Sequence, residues 1–160
     1  MASLSLFACI LCGCATVQPT AQGRTEPLTL EAIAKARAKW SAAGVRSYDY
    51  WPACEYFIAP IRAKNFRVIV RRGKVVNARQ FGSSIPVLVS NSPLTFDETF
   101  DELQRNVEHN LARGQPMSYG ALFHPTLGYP VKLSSRPASN SEIEDTGSIC
   151  TVKEFRIRWP

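Results

Sequence analysis

Two stretches of the chain carry apolar residues at intervals of three and four, a spacing that predicts two amphipathic helices. The first stripe consists of Ile33, Ala36, Trp40 and Ala43. Thr29 can cap this helix and Gly44 can end it. The second stripe consists of Phe96, Phe100, Leu103, Val107 and Leu111. It begins at Thr95-Phe96-Asp97-Glu98, which has the form of a capping box, and ends at Gly114.

Between and after these helices, apolar and polar residues alternate, which predicts β-strands with one buried face. The alternating segments are 47–51, 54–58, 66–70, 75–81, 118–123, 129–133 and 150–159. Arg72-Gly73 has the right length for a tight hairpin turn between two of them. In the last segment the apolar parity changes after Val152, which indicates a bulge near Lys153-Glu154.

The predicted order is helix, about three strands, helix, about three strands, in a single domain spanning residues 28–160. Each half supplies an amphipathic helix and a meander of strands, so both helices can cover one face of an antiparallel sheet. We therefore expect an α+β fold. Its architecture looks like that of PepSY-type and β-lactamase-inhibitor-like domains, a likeness of fold that leaves function open.

The first residues have the pattern of a bacterial lipoprotein signal. Residues 4–11 are almost wholly apolar but too few to cross a membrane, and Leu11-Cys12-Gly13-Cys14 reads as a lipoprotein cleavage site. We expect residues 1–13 to be removed and Cys14 to carry the lipid that anchors the protein to a membrane. No Lys or Arg precedes the apolar run. A mis-assigned start, or a signal that is uncleaved or carries no lipid, is the alternative.

The expected location is the bacterial cell envelope, with the domain facing the periplasm. Residues 14–27 are rich in Thr, Gln, Pro and Gly, which predicts a flexible tether between the lipid and the domain. Ala15-Thr16 lacks the Asp that favours inner-membrane retention in many enteric bacteria, so the outer membrane is slightly favoured.

The signal also divides the 5 cysteines. Cys9 and Cys12 leave with it and Cys14 is blocked by lipid, which leaves Cys54 and Cys150 in an oxidising compartment. An isolated pair there is expected to form a disulfide. Closing so long a loop would stabilise the fold by about 4 kcal/mol on the chain-entropy model.

The chain is basic, with 19 Lys and Arg against 13 Asp and Glu and a formal net charge of +6. Such a charge can favour acidic lipids, acidic glycans or nucleic acid. It is spread along the chain, and its densest clusters lie only at 62–67 and 71–74. Because the expected location is the envelope, we expect no nucleic-acid partner.

Several of these segments together resemble a family of bacterial lipoproteins known only as a domain of unknown function. They are the helix ending in Trp40, Tyr48-Asp49-Tyr50, Cys54, the hairpin 68–76, the helix 96–111, Phe123-His124-Pro125, Leu127-Gly128-Tyr129-Pro130 and Asp145. The resemblance covers about residues 28–155, and its distinctive part is the Gly-Tyr-Pro turn. Family members often have Tyr-Asp-Pro in place of Phe123-His124-Pro125, and a second cysteine near Cys54. The resemblance implies a lipid-anchored envelope protein and no particular activity.

Candidate catalytic and metal-binding residues are few. His109 is expected to be solvated on the second helix, and His124 lies beside a proline in a turn. Cys54 and His124 could make a thiol nucleophile and its base, a hypothesis that a disulfide at Cys54 would exclude. Residues 14–160 contain no Cys-x-x-Cys motif, no histidine pair at helical spacing and no phosphate-binding glycine loop. We therefore expect neither an enzyme nor a cofactor or metal.

Binding is the function that remains. We expect a non-catalytic module that binds another envelope protein or supports an assembly, with a partner surface comprising Tyr50, Trp51, Arg62, Lys64, His124 and Tyr129. Core packing is the alternative explanation for the aromatic residues around Cys54. A second hypothesis is an inhibitor-like domain that docks an envelope protease or hydrolase. An outward-pointing Gly128-Tyr129-Pro130 turn would favour this hypothesis, whereas a buried turn would not.

Overall fold

A computed structural model describes residues 16–17, 23–56, 66–80, 94–114, 117–137 and 147–159. These contain two helices, α1 (Leu30–Ala43) and α2 (Phe96–Arg113). The strands are β1 (Thr16–Val17), β2 (Glu26–Pro27), β3 (Tyr48–Tyr56), β4 (Phe66–Arg71), β5 (Lys74–Gln80), β6 (Met117–Phe123), β7 (Pro130–Pro137) and β8 (Ser148–Ile157). No helix within these ranges is long and apolar enough to span a bilayer.

The strands form one antiparallel sheet in the order β2-β6-β7-β8-β3-β4-β5. β1 also pairs with β8, with Thr16 opposite Arg156 and Val17 opposite Phe155. The prediction of a mixed α+β fold with two helices and an antiparallel sheet is confirmed. β1 and β2 are additional to the predicted strands. Both belong to residues 14–27, the segment that we expected to form a tether.

The bulge expected in the closing strand lies between β3 and β8. Trp51 pairs with Glu154 and Pro52 pairs with Val152, so Lys153 is the extra residue. The extra residue explains how Val152 and Phe155, which differ in parity, can both be buried.

Both helices pack on one face of the sheet. Their buried residues are Ile33, Ala36 and Trp40 from α1 and Phe96, Phe100, Leu103 and Val107 from α2. Trp40 stands edge-on to the rings of Tyr48 and Phe96, and each ring centroid is 5.3 Å from that of Trp40. Leu111 of the predicted stripe is exposed. The opposite face of the sheet, here called the outer face, has no described helix against it.

Two tyrosines of β3 fix the start of α2. The Tyr48 hydroxyl accepts a hydrogen bond from the backbone amide of Phe96 at 2.7 Å, and the Tyr50 hydroxyl donates one to the carbonyl oxygen of Leu94 at 2.5 Å. Between these two bonds, Thr95 and Glu98 form the predicted capping box. Burial raises the pKa of both tyrosines, so both hydroxyls stay protonated.

The turn between β6 and β7 packs against α1. In it, Nδ1 of His124 accepts a hydrogen bond from the backbone amide of Leu127 at 3.1 Å. Gly128 has a φ of +79°, and a Cβ at this position would lie 2.1 Å from the carbonyl oxygen of Ala36. Only glycine permits both this φ and this close approach. Tyr129, which follows, is consequently directed into the core.

Candidate functional site

The outer face carries a buried aspartate surrounded by arginines. Asp49 follows the core residue Tyr48 and points to the opposite face, because successive side chains of a strand alternate. Its carboxylate is 0% exposed. Oδ1 accepts a hydrogen bond from Nη1 of Arg71 at 2.8 Å, while Oδ2 accepts one from Nη2 of Arg67 at 2.6 Å and one from Nη2 of Arg158 at 2.8 Å. We call these four residues the arginine ring.

The pairing of three strands assembles the ring. Asp49 pairs with β4 midway between Arg67 and Arg71, which are therefore its two diagonal neighbours on that strand. On its other side Asp49 pairs with Arg156 of β8, and Arg158 follows directly after that strand. β3, β4 and β8 must all be in register before the carboxylate has its three partners.

The ring gives the outer face a surplus of positive charge, since three guanidiniums share one carboxylate. Burial raises the pKa of Asp49, but the hydrogen bonds from the three arginines outweigh this and hold the pKa below its ordinary value. The aspartate is therefore ionised at neutral pH. The three arginine side chains remain between 31% and 39% exposed, so solvent or a ligand can reach them.

Trp51 lies beside the ring between two arginines. The guanidinium carbons of Arg67 and Arg156 are each 5.1 Å from the centroid of its ring system, within the range of cation–π attraction. Nε of Arg156 also donates to Oε1 of Glu154 at 2.6 Å. Because Arg67 contacts both Asp49 and Trp51, the arginine ring continues without a break into the surface formed by Trp51 and Arg156.

A cleft of ≈ 580 Å³, here called the terminal cleft, lies at one end of the sheet. Three segments line it: the link 44–47 between α1 and β3, the β4–β5 turn at 71–72, and residues 157–159 at the end of β8. Its charged residues are Arg46, Arg71, Arg72 and Arg158, and none of the described lining residues is acidic. Trp159, which is 56% exposed, also lines it.

Backbone hydrogen bonds hold these three segments together. The amide of Gly73 donates to the carbonyl oxygen of Arg46 and the amide of Arg158 donates to that of Ser47, both at 2.8 Å. The hydroxyl oxygen of Ser47 accepts from the amide of Arg72 at 3.1 Å. Arg72 and Gly73 have φ values of 51° and 75°, as the predicted two-residue hairpin turn requires. The arginines of the cleft thus project from a hydrogen-bonded frame.

Cys54 and Cys150 are paired across β3 and β8 and form the predicted disulfide, with their sulfur atoms 2.15 Å apart. The bridge joins the two strands that supply Asp49 and Arg156 to the outer face. While it is formed, Cys54 has no free thiol. The Cys54–His124 nucleophile is therefore not available in this state.

A model of a family of unknown function matches residues 32–157, most of the chain. The chain belongs to DUF6174. This confirms the resemblance to a family of unknown function; that DUF6174 proteins are lipoproteins stays a prediction. The matched region includes Asp49, Arg67, Arg71 and the two cysteines of the disulfide, and it ends one residue before Arg158. No curated protein and no solved structure matches the chain significantly.

Three residues of the predicted partner surface are buried in the DUF6174 domain, which corrects that part of the prediction. Tyr50 is 6% exposed, His124 9% and Tyr129 0%. Tyr50 shares the core face with Tyr48 because the two differ by two positions along β3. Tyr129 stacks on Phe155 with 4.4 Å between the ring centroids, because the turn that carries it folds inwards.

The other predicted residues divide into two groups. Trp51 is half-buried on the outer face, and His109 is exposed on α2 as expected. Cys14, Arg62 and Lys64 lie outside the described residues. Within the part of the chain that is described, no three His, Cys, Asp or Glu side chains are grouped so that they could hold a metal ion.

The sequence does contain a pattern that points to the arginine ring, although it matches no catalytic motif. In 66–71 and 155–158, apolar residues of one parity alternate with positions that are mostly arginine. Arginines on the second face of a strand suggest a basic surface. The strand register is needed to show that they surround Asp49.

Proposed function

We propose that this DUF6174 protein is a lipid-anchored, non-catalytic binding module of the bacterial cell envelope, and that it binds an anionic envelope component through its outer face. The observation that carries the proposal is the arginine ring, in which one buried carboxylate is shared by three partly exposed guanidiniums. A ring of this composition retains net positive charge. A ligand with anionic groups would complement it.

The chemistry of the outer face supports a binding role. Arginine and tryptophan are enriched at interfaces and among the residues that contribute most to binding. Here Trp51 is held between Arg67 and Arg156, and Arg67 is in turn held by Asp49. Side chains fixed in this way lose little rotamer freedom when a partner binds, so the entropy cost of ordering the interface is smaller.

The proposed location follows from the N-terminal sequence. Residues 1–13 act as a signal peptide, Cys14 carries the lipid, and the domain faces the periplasm, with the outer membrane slightly favoured. The Cys54–Cys150 disulfide supports an oxidising compartment.

The proposal extends to architecture. Two helices on one face of an antiparallel sheet make the domain similar in layering to PepSY-type and β-lactamase-inhibitor-like modules. The inhibitor-like function gains no support from this, because Tyr129 is buried and cannot serve as a docking residue.

Site-specific crosslinking in intact cells tests the binding surface. A photo-reactive residue replaces Arg79, which is exposed on β5 and pairs with Arg67. The control carries the same residue in place of Ala38, which is exposed on α1. We expect adducts from position 79 and none from position 38. No adduct from position 79, or equal labelling of the two positions, would contradict the proposal.

The anchor is tested separately by growing cells with a labelled fatty acid. The wild-type chain should incorporate the label and fractionate with membranes, whereas Cys14→Ser should do neither. A wild-type chain that stays unlabelled and soluble would exclude the lipid anchor, whatever the crosslinking shows.

A further inference from the structure

We infer that the terminal cleft binds the phosphate groups of acidic phospholipids, and that this contact seats the cleft end of the domain on the membrane that holds its anchor. The inference rests on the proposed function, because it takes Cys14 as the lipidated residue. The proposed ligand is the headgroup phosphate of a bilayer lipid. Soluble phosphates and acidic proteins become outcomes of the test.

The direction of β1 indicates which end of the domain is near the anchor. Thr16 pairs with Arg156 in antiparallel fashion, so β1 runs against β8 and its N-terminal end points towards Arg158 and Trp159. Cys14 precedes Thr16 by two residues, a chain length of about 7 Å. A lipid on Cys14 would therefore enter the bilayer close to the terminal cleft.

The charges of the cleft suit phosphate. Arg71 and Arg158 bond to Asp49, but Arg46 and Arg72 are exposed and form no ion pair with any carboxylate in the described ranges. The planar guanidinium group offers paired donors that match two phosphate oxygens. Two such groups on a fixed frame can hold one headgroup phosphate or two neighbouring ones.

A second, smaller cleft extends this basic region. It shares Arg46 and Arg72 with the terminal cleft and adds Lys74, and Asp97 is the single acidic residue among those described in its lining. Basic side chains therefore outnumber acidic ones across both clefts. Several basic side chains in one region can each attract the headgroups of an acidic leaflet.

Trp159 supplies the apolar part of an interfacial site. It is 56% exposed beside Arg158 and Arg72, in a protein whose Trp40 is fully packed in the core. Tryptophan is favoured at the boundary between headgroups and acyl chains, where its ring is buried and its N–H stays hydrated. A soluble acidic partner would account for the arginines, but the position of β1 specifically favours the membrane.

The opposite end of the sheet provides a matched control. Arg24 and Arg136 line a groove there together with Lys132, Glu26 and several hydroxyl groups. Ser135 of β7 pairs with Ser148, the first residue of β8, and Arg136 lies one residue beyond Ser135. The 10 residues of β8 separate it from Arg158 by about 30 Å. Among its described residues this groove also has more basic than acidic side chains, but it is far from the N-terminal end of β1.

The first experiment measures partition of the chain into vesicles of phosphatidylcholine with and without phosphatidylglycerol. All chains carry Cys14→Ser and retain the apolar residues 4–11. The quantity compared is the ratio of the partition coefficient into acidic vesicles to that into neutral vesicles, in which the contribution of residues 4–11 cancels. A basic residue at an acidic surface contributes about fivefold in partition. We expect Arg46→Gln/Arg72→Gln to lower the ratio by about 25-fold. Arg24→Gln/Arg136→Gln should leave it unchanged, and equal effects of the two pairs would overturn the inference.

The second experiment measures orientation in the acylated chain. Trp51→Phe leaves Trp159 as the exposed tryptophan, since Trp40 is buried. The chain is reconstituted into vesicles that contain phosphatidylglycerol with brominated acyl chains, which quench nearby tryptophan emission. We expect the emission of Trp159 to be quenched in this chain, and we expect Arg46→Gln/Arg72→Gln to abolish the quenching.

The possible outcomes separate the inference from the proposed function. A chain that does not float with vesicles contradicts the lipid anchor, and the inference fails with it. A chain that floats while Trp159 stays unquenched overturns the inference alone. Glycerol phosphate or an acidic peptide should not relieve the quenching at an equal concentration of anionic groups. Relief by either would assign the cleft to that soluble ligand instead.

Discussion

Asp49 and Arg158 are separated by 109 residues in sequence, and both Nε and Nη2 of the arginine donate to one oxygen of the aspartate, at 3.1 and 2.8 Å. This pair joins β3 to the residue that follows β8. With Arg67 and Arg71 on β4, it links three neighbouring strands through one carboxylate. The arginine ring is therefore part of what holds the centre of the sheet together as well as a basic surface.

Removal of the charge of Asp49 should destabilise the domain. In Asp49→Asn, three guanidiniums would surround a neutral amide and repel one another. We expect the free energy of unfolding to fall by about 2 kcal/mol. Removing one partner of a fully buried ion pair costs about 3–5 kcal/mol, and the loss here is smaller because the arginines reach solvent. Asp101→Asn is the control, since its bond to Arg37 is exposed and contributes about 0.5 kcal/mol or less. Urea denaturation that gives equal losses would contradict this role of the ring.

The same comparison predicts a pH dependence. The folded-state pKa of Asp49 is lowered, so on acidification the unfolded chain takes up the proton first. The stabilisation by Asp49 is complete above about pH 4, the ordinary pKa of aspartate, and is lost as the pH falls through the lower folded-state pKa. The stability difference between wild type and Asp49→Asn should therefore shrink towards low pH. A difference that is constant with pH would count against it.

His124 should make the domain sensitive to mild acid. Burial lowers its pKa, and its Nδ1 accepts a backbone hydrogen bond that a proton there would break. The unfolded chain therefore binds the proton first, and stability declines as the pH falls below about 6.5. In His124→Asn, the side-chain oxygen can accept from Leu127 without titrating, so the decline should be smaller. Unfolding free energies measured across this range would contradict the prediction if wild type gained stability on acidification.

Three buried tyrosines should respond differently to loss of the hydroxyl group. Tyr48→Phe leaves the amide of Phe96 without its acceptor, and Tyr50→Phe leaves the carbonyl of Leu94 without its donor, so each should lose about 1–2 kcal/mol. The Tyr129 hydroxyl is buried and has no hydrogen-bond partner among the residues that the structure describes. Tyr129→Phe should therefore keep the stability or raise it by about 1 kcal/mol. Equal losses in all three variants, measured by thermal or urea unfolding, would show that the hydrogen bonds at the start of α2 have no special weight.

Two glycines with positive φ should differ in their tolerance of a side chain. Gly44→Ala places a Cβ where no atom lies within 4 Å, so only backbone strain of about 1 kcal/mol is expected. Gly128→Ala adds a clash with the carbonyl oxygen of Ala36 and should cost more than about 3 kcal/mol. If both variants unfold at the same urea concentration, the turn and α1 are not packed as closely as described.

Features set by local sequence could be predicted. The capping box at Thr95 and the turn at Arg72-Gly73 depend on residues within four positions of one another. The bulge at Lys153 follows from a change of parity within one strand. Each of these is fixed by short-range geometry, so one stretch of sequence is enough to find it.

Features that depend on pairing between distant strands could not be predicted. Asp49 reads as one polar residue between two aromatic ones until β4 and β8 are placed beside it. Strand alternation places Tyr50 and Trp51 on opposite faces, but only the packing of the helices on the sheet shows that Tyr50 is the buried one. Tyr129 follows a turn, and turns usually face solvent. The packing of Gly128 on α1 directs this one inwards.

The position of β8 between β3 and β7 has a consequence for biosynthesis. Cys150 of β8 follows Cys54 of β3 by 96 residues. The central strand β8 can therefore join β3 and β7 only after nearly all of the domain has been synthesised. Such late, long-range pairing makes folding slow. The sheet, and with it the set of arginines around Asp49, can be completed only once residues 148–158 have been made.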